Sequence, residues 1–231
     1  MLVPFKENFE VNIGNNIIKS VQEICLLGVD YDTNFSTAPY LRKLATEVKS
    51  RAAMIYRLSF SVPPYLLKLL TNGLVIGKIS AAAPAAIPFK IAFDDQAANL
   101  ATDKINRAIK SVARTITKTK LTDMISSDTV LQKCGLRCLN EMVASSAVLM
   151  VWKAKKKMDP LGSCLFPEKA TLRPIRSQHE NKATQPVPGN RTLSTNLMAK
   201  AWNSASELHN VNTIGAAKAI SRKWAANLLK S

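Results

Sequence analysis

The chain has 231 residues, 47% of them apolar, enough to fill a hydrophobic core, which excludes a wholly disordered polypeptide. Its charge departs from the ordinary: 32 Lys and Arg against 16 Asp and Glu leave +16, with an isoelectric point near 9.9. A protein that neutralises phosphates gains free energy by releasing their counterions, so this surplus points to a polyanionic partner.

The acidic side chains concentrate at the start. Residues 1–36 hold two basic and five acidic side chains, a net of −3; the other 195 hold 30 and 11, a net of +19. In that acidic opening Phe9, Val11 and Ile13 alternate, Gly14-Asn15-Asn16 is a turn signal, and Ile24 to Val29 is an apolar run. These features predict short strands over 8–13, 16–20 and 23–29. After Asp30-Tyr31-Asp32 the apolar period lengthens from two to about 3.6 residues and stays there.

A first helix is predicted from Pro39 to Phe60, with Leu41, Leu44, Ala45, Val48, Ala52, Ile55 and Leu58 on one face. Arg42, Lys43, Lys49 and Arg57 lie opposite. Pro63-Pro64 ends that helix and opens a second, Leu66 to about Ile76, apolar enough to be read as core. Residues 77–93 are rich in Ala and Pro and give no clear period. Asp94-Asp95 then open a helix to about Lys118, with Ile105, Ala108, Ile109, Val112, Ala113 and Ile116 on its apolar side. Lys104, Arg107, Lys110, Arg114 and Lys118 fall within about 120° on the other. A buried-looking helix, about Leu136 to Lys157, carries Val143, Val148, Leu149, Met150 and Trp152. Residues 158–192 hold five prolines and no period, and two helices close the chain over about 194–208 and 213–230, anchored by Trp202 and Trp224.

The resulting expectation is a mainly α protein: short N-terminal antiparallel strands followed by an irregular multi-helix bundle. Its divisions are strands over 1–36, a helical region over 37–157, a linker or exposed loop over 158–192 and a C-terminal helical pair over 193–231.

Little in the chain announces catalysis. A nucleophilic site needs a positioned base, and the two histidines, His179 and His209, sit in no recognisable motif. Gly28, Gly73, Gly77 and Gly135 stand singly, so no phosphate-cradling glycine pattern exists. Cys25, Cys134, Cys138 and Cys164 fit neither a disulfide framework nor a four-ligand metal site, and read as thiols in a reducing compartment. No cofactor is implied. Ala92-Phe93-Asp94-Asp95 resembles the aromatic-x-Asp-Asp element of polymerases, whose carboxylates help hold two Mg²⁺ ions. Ahead of a long amphipathic helix, however, Asp is the expected N-cap. The opening nine residues lack a signal-peptide apolar run, and Lys68, Lys78, Lys90, Pro84 and Pro88 interrupt the most apolar stretch, Leu66 to Phe93. An intracellular protein, nuclear or cytoplasmic and without a membrane span, is expected, so the sequons at Asn34 and Asn190 are chance matches.

The basic helix faces carry the strongest functional signal. Solubilising faces usually alternate in sign, whereas the stripe from Lys104 to Lys118 is of one sign and repels itself unless something anionic lies there. Lys153, Lys155, Lys156 and Lys157 add four more cations. The expected phosphate-binding residues are Arg42, Lys43, Lys49, Arg57, Lys104, Arg107, Lys110, Arg114 and Lys118.

An ordered series of motifs resembles one family over essentially the whole chain. Ile24-Cys25-Leu26-Leu27-Gly28-Val29-Asp30-Tyr31-Asp32 is similar to the strand that closes the palm of non-LTR retrotransposon reverse transcriptases, of the Jockey-like kind. As in that family, a basic helix with an Arg-Leu pair follows (Arg57-Leu58), then a proline turn and an apolar helix, Val62 to Leu70. Ile105-Asn106-Arg107-Ala108-Ile109-Lys110 resembles a helix of the family's thumb and connection region, and Ala201-Trp202-Asn203 and Trp224 resemble its C-terminal segments. One departure is Ala81 to Ala86, where the family often carries two aromatic side chains around Gly-Ala-Pro. The resemblance implies the end of a palm, a thumb and a C-terminal extension of an RNA-directed DNA polymerase from a transposable element. The catalytic carboxylates lie upstream in that family, so the chain is expected to lack polymerase activity. The implied partner is an RNA–DNA or RNA duplex, held without sequence preference through its phosphates. The strands over 16–29 would then serve the primer side and the Trp-bearing helices would pack. The alternatives are a freestanding basic nucleic-acid-binding protein, and a helical scaffold whose basic faces meet an acidic protein.

Overall fold

The computed structural model describes residues 10–14, 16–92, 99–157, 165–166, 183 and 194–228, which are mainly helical, as the 3.6-residue apolar period predicts. Two antiparallel hairpins come first: β1 (Glu10–Ile13) with β2 (Asn16–Lys19), and β3 (Glu23–Leu26) with β4 (Val29–Asp32). The strand predicted over 23–29 is therefore a hairpin in two halves. Leu26 pairs with Val29, and the intervening Leu27 and Gly28 both take positive φ, +51° and +81°. Two successive left-handed residues form the tight turn whose twist matches that of paired strands, and an apolar Leu-Leu-Gly-Val run hides it. Val29 is buried, whereas Ile24, Leu26 and Leu27 are exposed.

Helix α1 (Ala38–Leu58) starts with Pro39 in its first turn and buries Leu41, Leu44, Ala45, Val48, Ala52 and Ile55, the face expected from its periodicity. Helix α2 (Pro64–Thr71) runs through a π-helical turn (Asn72–Ile76) into α3 (Gly77–Ala86), so the unassigned stretch 77–93 is largely helical despite Pro84. Arg51 of α1 donates from Nη1 to the Leu74 carbonyl at 2.7 Å, satisfying an acceptor in that wider turn. Glu47 joins Arg51 and Lys78 at 3.6 and 3.1 Å, and the Thr37 hydroxyl donates to the Ala86 carbonyl at 2.7 Å. By length and composition the 23 residues from Pro64 to Ala86 are apolar enough to cross a membrane; 33% of their apolar window is buried, and Leu67, Val75, Ile79, Ala82, Ala83 and Ala86 belong to the helical core. Contrary to expectation, α2 is not core throughout: Tyr65 and Leu69 are exposed and Leu67 alone of its leucines is buried.

A 3₁₀ turn (Phe89–Ala92) precedes helix α4 (Leu100–Thr117), whose N-cap is Asn99 rather than an aspartate. Asn99 accepts from the Ala101 and Thr102 amides at 3.1 and 3.0 Å while Thr102 accepts from the Asn99 amide at 2.9 Å, a closed capping box. Asp94 and Asp95 lie outside the described residues. Because Asn99 satisfies two otherwise orphaned donors, Asn99→Ala is expected to cost about 1 kcal/mol, read as a lower urea midpoint with an unchanged slope.

The apolar stripe of α4 packs on α1. A short helix the periodicity did not reveal, α5 (Ser127–Cys134), follows with Ser126 as its cap, and the thiol of buried Cys134 donates to the Ala113 carbonyl of α4 at 3.1 Å. Helix α6 (Leu139–Lys157) thus starts later than the predicted Leu136. Its first amide, on Leu139, donates to Asn106 of α4. It packs on α3 and α4 and on the C-terminal pair α7 (Ser194–Ser204) and α8 (Ile214–Leu228), so one continuous core joins the helices. Trp152 of α6 donates to the Val211 carbonyl at 3.0 Å ahead of α8. Within 158–192, Leu165 and Ala183 are buried, and the Asn203 side chain bonds both the amide and the carbonyl of Ala183 at 2.9 Å.

Candidate nucleic-acid interface

The packing of α1 on α4 brings the C-terminal end of one beside the outer face of the other. Between them lies a groove of about 990 Å³, lined from α4 by Arg107, Lys110, Arg114 and Lys118 and from the end of α1 by Tyr56, Ser59 and Phe60. Lys120 and Leu121 close it, and no acidic side chain is among its described lining residues. Buried Ile105, Ile109, Val112 and Ile116 fix the rotation of α4, which is why its cations face outward.

The loop after α4 keeps the cations close together. Lys118 ends the helix in the left-handed conformation, and the Lys120 amide donates to Asp123 at 2.7 Å. Arg114 donates from Nη1 to the Lys120 carbonyl at 3.3 Å and from Nη2 to the Ile125 carbonyl at 3.0 Å. Arg114 therefore acts partly as a brace for the groove wall while its charge remains there.

The other sequence-predicted residues are placed less uniformly. Lys104 is exposed one turn before the groove, beyond its lining. Lys43 is tied to the β3–β4 hairpin, its Nζ 2.7 Å from Asp30 Oδ2. This partner holds the Asp30 carboxyl below its ordinary value and raises the Lys43 ammonium above its own. Arg42, Lys49 and Arg57 are exposed on α1 and do not line the groove. Arg42, Lys49 and Tyr56 recur every seven residues, so they share one side of α1, the side that runs into the groove.

The aromatic contribution escaped the sequence reading. Tyr56 and Phe60 are 56% and 77% exposed, and their rings meet edge to face with centroids 5.5 Å apart. Their four-residue spacing at the end of an amphipathic helix was the available signal. Which helix would face them is a tertiary fact that no local pattern carries.

Among the described residues no three His, Cys, Asp or Glu side chains converge as metal ligands. Burial raises both the Cys134 and Cys138 thiols above their ordinary value. His209 stacks on Trp202 at 4.6 Å, and burial lowers its imidazole below 6.5, with a smaller lowering from Lys155, against the opposing pull of the Trp202 carbonyl. The folded chain thus resists a proton that the unfolded chain accepts. Stability from this site is complete above the unfolded value of 6.5 and is lost as pH falls through the lower folded one. Replacing His209 with Gln is expected to flatten the fall in melting temperature as pH drops below about 6.5.

No protein-family model matches the chain, and comparison with curated proteins and with solved structures returns no significant match.

Proposed function

We propose that this chain binds template–primer nucleic acid as a non-catalytic, C-terminal, thumb-like part of a reverse-transcriptase-like retroelement protein, an RNA-directed DNA polymerase in its parent family. The observation that supports the binding activity is the groove between α1 and α4, where five cations gather without an acidic residue in its described lining. From Arg107 to Lys118 the stripe spans about 16 Å of helix axis, enough to follow several consecutive phosphates. Its chemistry is that of phosphate binding: Arg and Lys donors on a rigid helix, with hydroxyls from Ser59, Ser111 and Thr115 between them. Contacts to phosphate carry no sequence information, so binding without sequence preference is expected. The retroelement origin rests on the ordered motif resemblance, from Ile24-to-Asp32 to Trp224.

An acidic protein would meet the same positive groove, and competition separates the two partners. Fluorescence anisotropy of a labelled RNA–DNA hybrid is expected to show saturable binding that unlabelled hybrid displaces and polyglutamate of equal charge displaces poorly. Tighter binding to polyglutamate than to the hybrid would favour the scaffold role instead. In a primer-extension assay with Mg²⁺ or Mn²⁺ the chain is expected to incorporate no nucleotide.

A further inference from the structure

Two aromatic rings lie exposed in a groove whose charge already suits phosphate. A duplex held by its phosphates has no use for them, because its bases are stacked inward. We propose that the α1–α4 groove is a binding site for an unpaired nucleic-acid strand, with bases stacking on Tyr56 and Phe60 while the backbone follows the α4 cations. This inference rests on the nucleic-acid reading above and adds the strandedness of the ligand and two residues that the charge pattern did not identify.

Tyr56 and Phe60, 56% and 77% exposed, contribute little to the core, and their edge-to-face contact at 5.5 Å sets the two rings at 80° to each other. Exposed rings beside a basic track are the combination by which proteins hold single strands: the track binds phosphate and the rings take the freed faces of the bases. Charge complementarity names the occupant. Arg107, Lys110, Lys118 and Lys120 share the groove with the rings, so an apolar peptide would have to bury these cations without counterions, whereas a polynucleotide supplies one phosphate per base. The roughly 16 Å from Arg107 to Lys118 is long enough to follow a short run of consecutive phosphates. Beyond the rings, Lys49 and Arg42 continue along the same side of α1 and offer a path for the strand to leave.

The test uses the full chain and two probes: a fluorescent oligo-dT strand of about ten nucleotides and a blunt-ended RNA–DNA hybrid. The double variant Tyr56→Ala/Phe60→Ala is expected to bind the single strand about a hundredfold more weakly, roughly tenfold for each ring, and to bind the hybrid within about twofold of wild type. The ring-preserving variant Tyr56→Phe/Phe60→Tyr is expected to bind oligo-dT like wild type, which controls for folding. If the double variant binds oligo-dT as tightly as wild type, or loses both probes equally, the stacking site is overturned. Phosphate binding by the α4 stripe still stands in that case, provided Lys110→Glu/Lys118→Glu weakens the hybrid. If the wild-type chain binds neither probe, the nucleic-acid reading fails along with the inference.

Discussion

Reversing Arg107, Lys110 and Lys118 to Glu is expected to weaken hybrid binding by about a hundredfold or more and to take about three units off its salt slope. Arg107 and Lys110 lie one turn apart on α4, Lys118 caps the helix about two turns further on, and all three share the groove wall with Arg114. Arg114 is left in place because it braces the loop through the Lys120 and Ile125 carbonyls, so its loss would mix a structural effect with an electrostatic one. The reversed residues make no ion pair with a described residue, and each should change stability by no more than about half a kcal/mol. Ile109→Ala, on the opposite face at 1% exposure, separates the two roles of the helix. It should cost roughly 2–5 kcal/mol of stability through a cavity against α1 while the folded fraction keeps its affinity. Loss of binding only in parallel with loss of folding would show that the stripe is merely a solvated face.

Trp202→Ala is expected to be the most damaging substitution in the C-terminal helices, at about 3–5 kcal/mol, read as a lower urea midpoint. Trp202 is fully buried on α7 and stacks on His209 at 4.6 Å. Phe166 meets it edge-on at 5.9 Å, and the Lys155 ammonium lies 5.6 Å from its ring. Its backbone carbonyl accepts from His209 Nε2 at 3.1 Å, so the ring and the main chain hold the same turn. Truncation empties a volume bordered by Phe166, His209 and Lys155 of α6. The loss is a large share of the roughly 5–15 kcal/mol that typical domains possess. A change below about 1 kcal/mol would mean that α7 is not part of the cooperative core.

Amphipathic periodicity made the two helices of the interface legible in the sequence. The buried faces of α1 and α4 are the predicted ones because each is a single uninterrupted stripe whose burial dominates. Where local signals conflict, packing decides. The Ala- and Pro-rich residues 77–93 gave no clear period, yet a π turn and the Arg51 bond to Leu74 carry the chain from α2 into α3 as one helical path. The Leu27-Gly28 turn was hidden by its own hydrophobicity, and α5 was too short to show a period. The cap of α4 is Asn99, which forms a closed capping box with Thr102, and Asp103 supplies the negative charge in the first turn. For the site, the stripe from Arg107 to Lys118 was readable, whereas the pairing of Lys43 with Asp30 and the approach of Tyr56 and Phe60 depend on elements meeting in space.

Hybrid binding through the α4 cations is expected to weaken steeply with salt. Filter binding of an RNA–DNA hybrid across a salt series counts released counterions, and five cations in the α1–α4 groove predict that log K falls against log salt with a slope of about −4. A slope near zero would rule out phosphate binding here, because affinity without counterion release cannot come from phosphates held by this groove.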